Sequence, residues 1–188
     1  MKKLASLIMA ILIAIMPMNL SFANEDNAPL SVSSKSAILM DVGSGQILYE
    51  KNAHDKLPPA SVTKVMTMLL ICEALDSGKI TLDDSVQISE NAASMGGSQI
   101  FLKVGEKMTV EDLLKGVAIA SGNDAVVALA ERVSGSEEQF VKRMNTRAKD
   151  LGLKNTNFIN ATGLTADNHY SSAYDMSLIA KELVKHEK

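Results

Sequence analysis

The sequence predicts a mixed α/β fold: one short N-terminal β-hairpin followed by a cluster of helices. Three observations predict it. Two short apolar runs, 37–42 and 46–49, flank Gly43-Ser44-Gly45, a hairpin pattern. Four later stretches, opening near residues 61, 109, 123 and 136, carry helical apolar content with capping and stop residues. The strand count is low for a stable sheet, because a lone hairpin is marginal in water. Downstream sheet strands are therefore expected to be missing from these residues.

The first element is not part of that fold. Lys2 and Lys3 precede "LASLIMAILIAIMPMNL", and Ser21-Phe22-Ala23 supplies small residues for a peptidase. Residues 1–23 read as a secretory signal; the competing reading is a retained membrane anchor, since the apolar stretch nears the length of a short spanning helix. Residues 24–35, "NEDNAPLSVSSK", read as a flexible leader. Residues 36–188 are the folded domain.

Composition narrows the function. The 188 residues are 46% hydrophobic, 22% charged and 4% aromatic, with formal net charge −3. Residues 1–23 hold two lysines and no acid, so the remainder carries 17 basic and 22 acidic side chains, net −5. With no basic run or aromatic-interleaved patch, a nucleic-acid partner is not expected. Cys72 is the only cysteine, so no internal disulfide can form, and it reads as a small buried hydrophobe. No metal-ligand spacing occurs, and no metal is expected.

Along the domain, Pro58-Pro59 interrupts regular structure, and a helix from near Ser61 runs to the stop at Ser77-Gly78. Residues 83–108 read as a long structured loop with short strands. Thr109 and Asp112 form a capping-box variant opening the next helix, which breaks at Ser121-Gly122-Asn123. Ser136 and Gln139 open a further helix. Residues 155–172 read as loop, and a last helix starts near Ser172 and reaches the C-terminus. Met66, Met68, Met144 and Met176 read as core filling.

Lys64 is the residue out of place. It sits in the first turn of an apolar helix, where the macrodipole disfavours a cation by roughly 0.3–1 kcal/mol. Residues three apart on a helix lie about 60° apart around the axis and about 4.5 Å apart along it. Ser61 and Lys64 can therefore meet. Burial and the helix start both disfavour the ammonium, so the lysine pKa should fall. A neutral amine can take the serine proton and make Ser61 a nucleophile without histidine. Free N–H groups at the helix start could stabilise an oxyanion. Taken alone, Ser-x-x-Lys reads as an ordinary N-cap with a snorkelling lysine. Ser121-Gly122-Asn123 alone reads as a helix–helix turn with a capping side chain.

Together, and with their context, the motifs resemble the serine D-Ala-D-Ala carboxypeptidases, the low-molecular-mass penicillin-binding proteins. "PPASVTKVMT" looks like that family's nucleophile segment, and "FLKVGEKMTVEDLLKGVAIASGNDA" its second-motif segment. "NATGLTADNHYSSAYDMSLIAKELV" is similar to a signature further on. The resemblance runs from Ser36 to Val184. It implies a β-lactamase/transpeptidase-like fold, an exported protein of the cell envelope, and no cofactor. It implies as partners peptidoglycan stem peptides ending in D-Ala-D-Ala, and β-lactams. Ser61 would be the acyl-enzyme nucleophile, Lys64 its proton acceptor, Ser121 a relay to the leaving amine, and Asn123 a binder of the substrate backbone amide.

One departure stands out. The family needs a third motif, Lys-Thr-Gly or close to it, after the second. The nearest pattern, Lys103-Val104-Gly105, precedes Ser121. The expectation is that residues 36–188 are the N-terminal part of such a domain and lack normal carboxypeptidase turnover. Any amphipathic anchor giving membrane association would then lie further on. A class A β-lactamase shares the Ser-x-x-Lys logic but usually has Ser-Asp-Asn, and an activating Glu with Asn four positions later, neither found here. A non-catalytic peptidoglycan-binding protein is the second rival. His54, His169 and His186 show no clear Asp partner, so a Ser-His-Asp triad is not expected. Asp175 reads as support for the last helix start, and Glu111 and Asp112 as first-turn acids.

Overall fold

The computed structural model describes residues 31–186; the expected signal peptide and most of the leader lie outside the described residues. Contacts divide the chain into Met1–Val32 and Ser33–Lys188, and every element below belongs to the second unit. The order is β1 (Ala37–Met40), β2 (Ile47–Lys51), a 3-10 turn (Ala60–Thr63), α1 (Lys64–Asp76), β3 (Ser85–Gln87), α2 (Glu90–Ala93), β4 (Lys107–Thr109), α3 (Val110–Ala120), α4 (Asn123–Ser134), α5 (Glu137–Asp150) and α6 (Ala173–Leu183).

The expected hairpin forms. β1 and β2 pair antiparallel, Ala37 opposite Lys51 and Leu39 opposite Tyr49, with an irregularity between Leu39 and Met40. Asp41 closes its turn, accepting from Ser44 N at 2.7 Å and Ser44 Oγ at 2.5 Å. Helix α6 packs against β1, while Leu39 and Leu48 stay half-exposed or more. A second two-stranded sheet, β3 with β4, pairs Val86 opposite Met108 inside the stretch expected to be loop with short strands.

Helices α1 and α4 hold the core. α1 is apolar on most sides and buries Met66, Leu69, Leu70, Ile71, Cys72, Ala74 and Leu75, as a helix largely enclosed by neighbours must. Residues 123–130 of α4 are all buried, and α4 touches α1, α2, α3 and α5. Each large core side chain contributes about 1.5–3 kcal/mol by leaving water. Phe140 and Met144 of α5 fill the same core. On its rim, Arg147 joins three helices through Glu73 at 2.7 Å and Glu182 at 3.3 Å.

The expected caps form. Thr109 Oγ1 accepts from Asp112 N and donates to Asp112 Oδ2, and Ser136 Oγ accepts from Gln139 N. Ser172 caps α6 by accepting from Asp175 N at 3.1 Å. Two boundaries differ from the sequence reading. The helix expected from Ser61 begins at Lys64, because residues 60–63 take the tighter 3-10 form and Ser61 makes no side-chain cap. The last helix stops at Leu183 instead of running to the end.

Segment 153–172 is a loop in outline but heavily bonded. Asn145 grips Phe158 like a peptide, accepting from its N–H at 2.9 Å and donating to its carbonyl at 2.8 Å. Tyr170 and Ser171 bridge Asn157 and Leu57. Asp175, 2% exposed, accepts from Asn155 N and Thr156 Oγ1. It therefore ties this loop to α6, a role beyond supporting the helix start. The result is a rigid strap across the beginning of α1.

Candidate active site

The chain turns sharply to present Ser61. Pro59 precedes Ala60, whose φ of +46° is left-handed, a conformation costing an L-residue about 1–2 kcal/mol. The 3-10 turn follows, and with three residues per turn its side chains at i and i+3 eclipse. Ser61 and Lys64 are thus brought onto one line by the tighter winding, not by α-helix geometry. Lys64 Nζ stands 3.2 Å from Ser61 Oγ. Ser61 is exposed, and Lys64 is 4% exposed.

The strap encloses the amine. Asn160 Oδ1 gathers Thr162 N, Thr162 Oγ1 and Gly163 N, folding residues 160–163 into a tight turn. The Thr162 carbonyl then accepts from Lys64 Nζ at 2.8 Å, and the Ala161 carbonyl from Thr67 Oγ1 at 2.7 Å. Thr63 Oγ1 and His169 Nε2 are 2.9 Å apart. His169 Nδ1 accepts from Ile159 N at 3.1 Å, so the proton sits on Nε2 and is donated to Thr63. No carboxylate pairs with Lys64 among the described residues, and burial holds its pKa below the ordinary lysine value.

Gly163 makes this approach feasible. A Cβ there would lie 1.8 Å from the Ala60 carbonyl oxygen and 2.4 Å from its carbon. Its φ of +86° also suits glycine.

Across from Ser61 a cleft of about 250 Å³ opens, lined by Ser61, Gly97, Ser98, Asn123, Gly163 and Leu164, among others. Asn123 is 4% exposed; its Nδ2 donates to Gly96 O at 2.7 Å and its backbone N–H to Ser98 O at 2.7 Å. The Asn123 Oδ1 is buried without a partner among the described residues. Ser61 and Asn123 therefore line one cleft, with the buried Lys64 amine behind Ser61. Ser121 is not joined to them. It ends α3 in the left-handed region at φ +56°, half-buried, and its hydroxyl makes no hydrogen bond to Ser61 or Lys64. Among backbone donors, Val62 N is spent on Pro59 O, whereas Ser61 N has no protein acceptor among the described residues.

The sequence carries no sign of Thr63, Thr162, Gly163 or Asp124, and His169 enters it only as a histidine without an Asp partner. The partner of Lys64 is a backbone carbonyl, which leaves no residue-type signal. His186, read as lacking an acid, contacts Asp76. That pair sits at the far end of α1, about 20 Å from Ser61 at 1.5 Å rise per residue, and forms no triad.

Comparison with known proteins decides the family. The D-alanyl-D-alanine carboxypeptidase family matches residues 22–188. The chain belongs to this family. Over 193 aligned positions it is 58% identical to "D-alanyl-D-alanine carboxypeptidase DacF" of Bacillus subtilis, covering 100% of this chain and 49% of the relative. It is 48% identical to "D-alanyl-D-alanine carboxypeptidase DacC" of Escherichia coli, covering 82% of this chain and 40% of that one. This chain therefore spans half or less of the length of these relatives. The structure of penicillin binding protein 5 from Haemophilus influenzae superposes with TM-score 0.81 at 42% identity, covering 84% of this chain and 46% of that one. The fold is thus the penicillin-binding, transpeptidase-like one that the family resemblance implied.

Two predictions follow from the strap. Gly163→Ala should lower the urea midpoint by an amount equivalent to at least about 1–2 kcal/mol from left-handed backbone alone, and the Cβ should push the strap off Ala60. Burial holds the His169 pKa below 6.5, so the unfolded chain binds this proton first on acidification. Stability should fall as pH drops from 6.5, and unfolding curves of His169→Gln between there and about pH 5 should show a flatter profile.

Proposed function

We propose that the protein is a serine-type D-Ala-D-Ala carboxypeptidase that releases the terminal D-alanine of peptidoglycan pentapeptides. One observation carries the reading: a buried lysine amine with no carboxylate partner among the described residues, 3.2 Å from the hydroxyl of an exposed serine. Burial favours the neutral amine, and a neutral amine is a base.

Ser61 Oγ attacks the carbonyl of the penultimate D-alanine while Lys64 Nζ takes its proton. The Ser61 N–H, free of acceptors among the described residues, is a donor for the developing oxyanion. The C–N bond then breaks. Ser121 relays the proton from Lys64 to the leaving nitrogen, so D-alanine departs as an amine and the peptide remains as a Ser61 ester. Its hydroxyl is unlinked in the resting site, and bound substrate completes the path. Water hydrolyses the ester, returning the proton to Ser61. Asn123 holds the substrate backbone amide in the cleft. β-Lactams acylate the same oxygen, and the ring opening leaves the amine tethered. Family membership and the activity for which the relatives are named support the substrate class.

Export to the cell envelope belongs to the same reading. It is supported by Lys2 and Lys3 ahead of an apolar run ending at Ser21-Phe22-Ala23. Membrane association through an amphipathic C-terminal segment is part of the proposal as well.

Fluorescent penicillin tests the assignment on the full-length gene product. The adduct should map to the peptide containing Ser61, vanish in Ser61→Ala and fall at least 100-fold in rate in Lys64→Met, with far-UV circular dichroism unchanged. Pentapeptide should release D-alanine with the same dependence. Labelling that survives Ser61→Ala, or is indifferent to Lys64→Met, would overturn the mechanism. A folded, unlabelled protein that still binds stem peptide would mark a binding module instead.

A further inference from the structure

Outside the residues given chemistry, Asp124 is the most heavily engaged buried carboxylate. It is 1% exposed and has no cationic partner among the described residues. Both its oxygens accept from Ile100 N, at 3.1 and 3.2 Å, Oδ2 accepts from Leu102 N at 3.0 Å, and Oδ1 from Ala125 N at 2.9 Å. Its charge is held by backbone N–H groups and the first turn of α4, where a carboxylate is favoured.

This clamp has a visible cost. When N–H groups two residues apart converge on one carboxylate, the residue between them is turned outward. Phe101 accordingly adopts φ +63° and is 79% exposed. A left-handed phenylalanine is strained by about 1–2 kcal/mol, and its exposure forgoes burial of a large apolar side chain. The strain persists only because the surroundings over-determine it.

The segment so held is one wall of the cleft. Residues 96–102 form an arch whose other foot rests on the neighbouring residue: Gly96 O accepts from Asn123 Nδ2, and Ser98 O from Asn123 N. Asn123 thus donates to the arch at 96 and 98, while Asp124 accepts from it at 100 and 102. Gly97, at φ +79°, lies so close that a Cβ would stand 2.8 Å from Asn123 Nδ2. Inside the bend, Ile100 packs over Gly116 and Gly122, keying the arch to the α3–α4 corner.

We infer that Asp124 is a positioning residue for substrate binding, acting through the 96–102 arch on the Asn123 carboxamide and on the cleft wall facing Ser61. It touches no substrate. It sets the height of the arch, which sets both the orientation of Asn123 and the width of the cleft. The inference rests on the acyl-transfer reading of the cleft. Because Ser61 and Lys64 are held by the strap on the opposite side, loosening the arch weakens binding and leaves the acylation step itself intact.

The test is Asp124→Asn in the full-length protein, which keeps the volume but turns an amide NH2 toward backbone donors. Amide hydrogen exchange at Ile100 and Leu102 should accelerate at least tenfold, with Val126 and Leu129 unchanged, and the protected Asn123 side-chain amide signal should be lost. In penicillin acylation, the half-saturating concentration should rise about tenfold while the limiting rate stays within twofold. A merely structural role would move the melting temperature and both kinetic terms together. Gly97→Ala approaches the arch from the other side and should reproduce the kinetic split, which keeps the inference testable should Asp124→Asn fail to fold. Released exchange with unchanged half-saturation, or loss confined to the limiting rate, would overturn the inference. Should the parent protein take no penicillin, the acyl-transfer reading fails, while the exchange and Asn123 amide signals still report whether Asp124 holds the arch.

Discussion

The hydrogen bond from Lys64 Nζ to the Thr162 carbonyl is the contact on which the site depends. It pulls a lysine amine out of water and fixes it beside Ser61. Everything around it serves that placement: Asn160 folds the turn that offers the carbonyl, Asn145 and Glu137 anchor the strap to α5, and Thr63 of the 3-10 turn and Thr67 of α1 bind it. Among the described residues the amine gains two neutral partners and no counter-charge. A lysine in that setting lowers stability at neutral pH, because the unfolded chain holds its proton more readily. The penalty eases only as pH climbs toward 10.5. The site is thus a local expense carried by the core of α1 and α4.

That arrangement explains why the fold is rigid where it is. The helix start cannot slide, because Ala60 is pressed by Gly163 and the helix behind it is enclosed by α4, α5 and α6. The opposing wall is fixed separately, by adjacent residues of α4. Asn123 faces the cleft and Asp124 turns inward to grip the arch. Nucleophile and binding wall are therefore mechanically independent, joined through α1–α4 packing.

Much of this was legible in the chain. The hairpin follows from Gly43-Ser44-Gly45 between apolar runs, and the caps at Thr109, Ser136 and Ser172 follow from side chains that satisfy free N–H groups. The Ser61–Lys64 pairing was legible too, though its geometric reason differs: a 3-10 turn eclipses the two side chains where an α-helix would only bring them near. What could not be read is the other half of the site. Thr162 acts through its carbonyl, His169 through a tautomer fixed by Ile159, and Gly163 through the absence of a Cβ. Backbone groups carry no residue signature, and contacts spanning about a hundred positions leave no local period.

The protonation state of one amine is the most direct measure of the account. NMR titration of lysines labelled at Cε, with Lys64 assigned by its loss in Lys64→Met, reads it in isolation. The account predicts a Lys64 midpoint set clearly below 10.5 and apart from the surface lysines. A Lys64 signal that titrates with them, still fully charged at about pH 9, would contradict it.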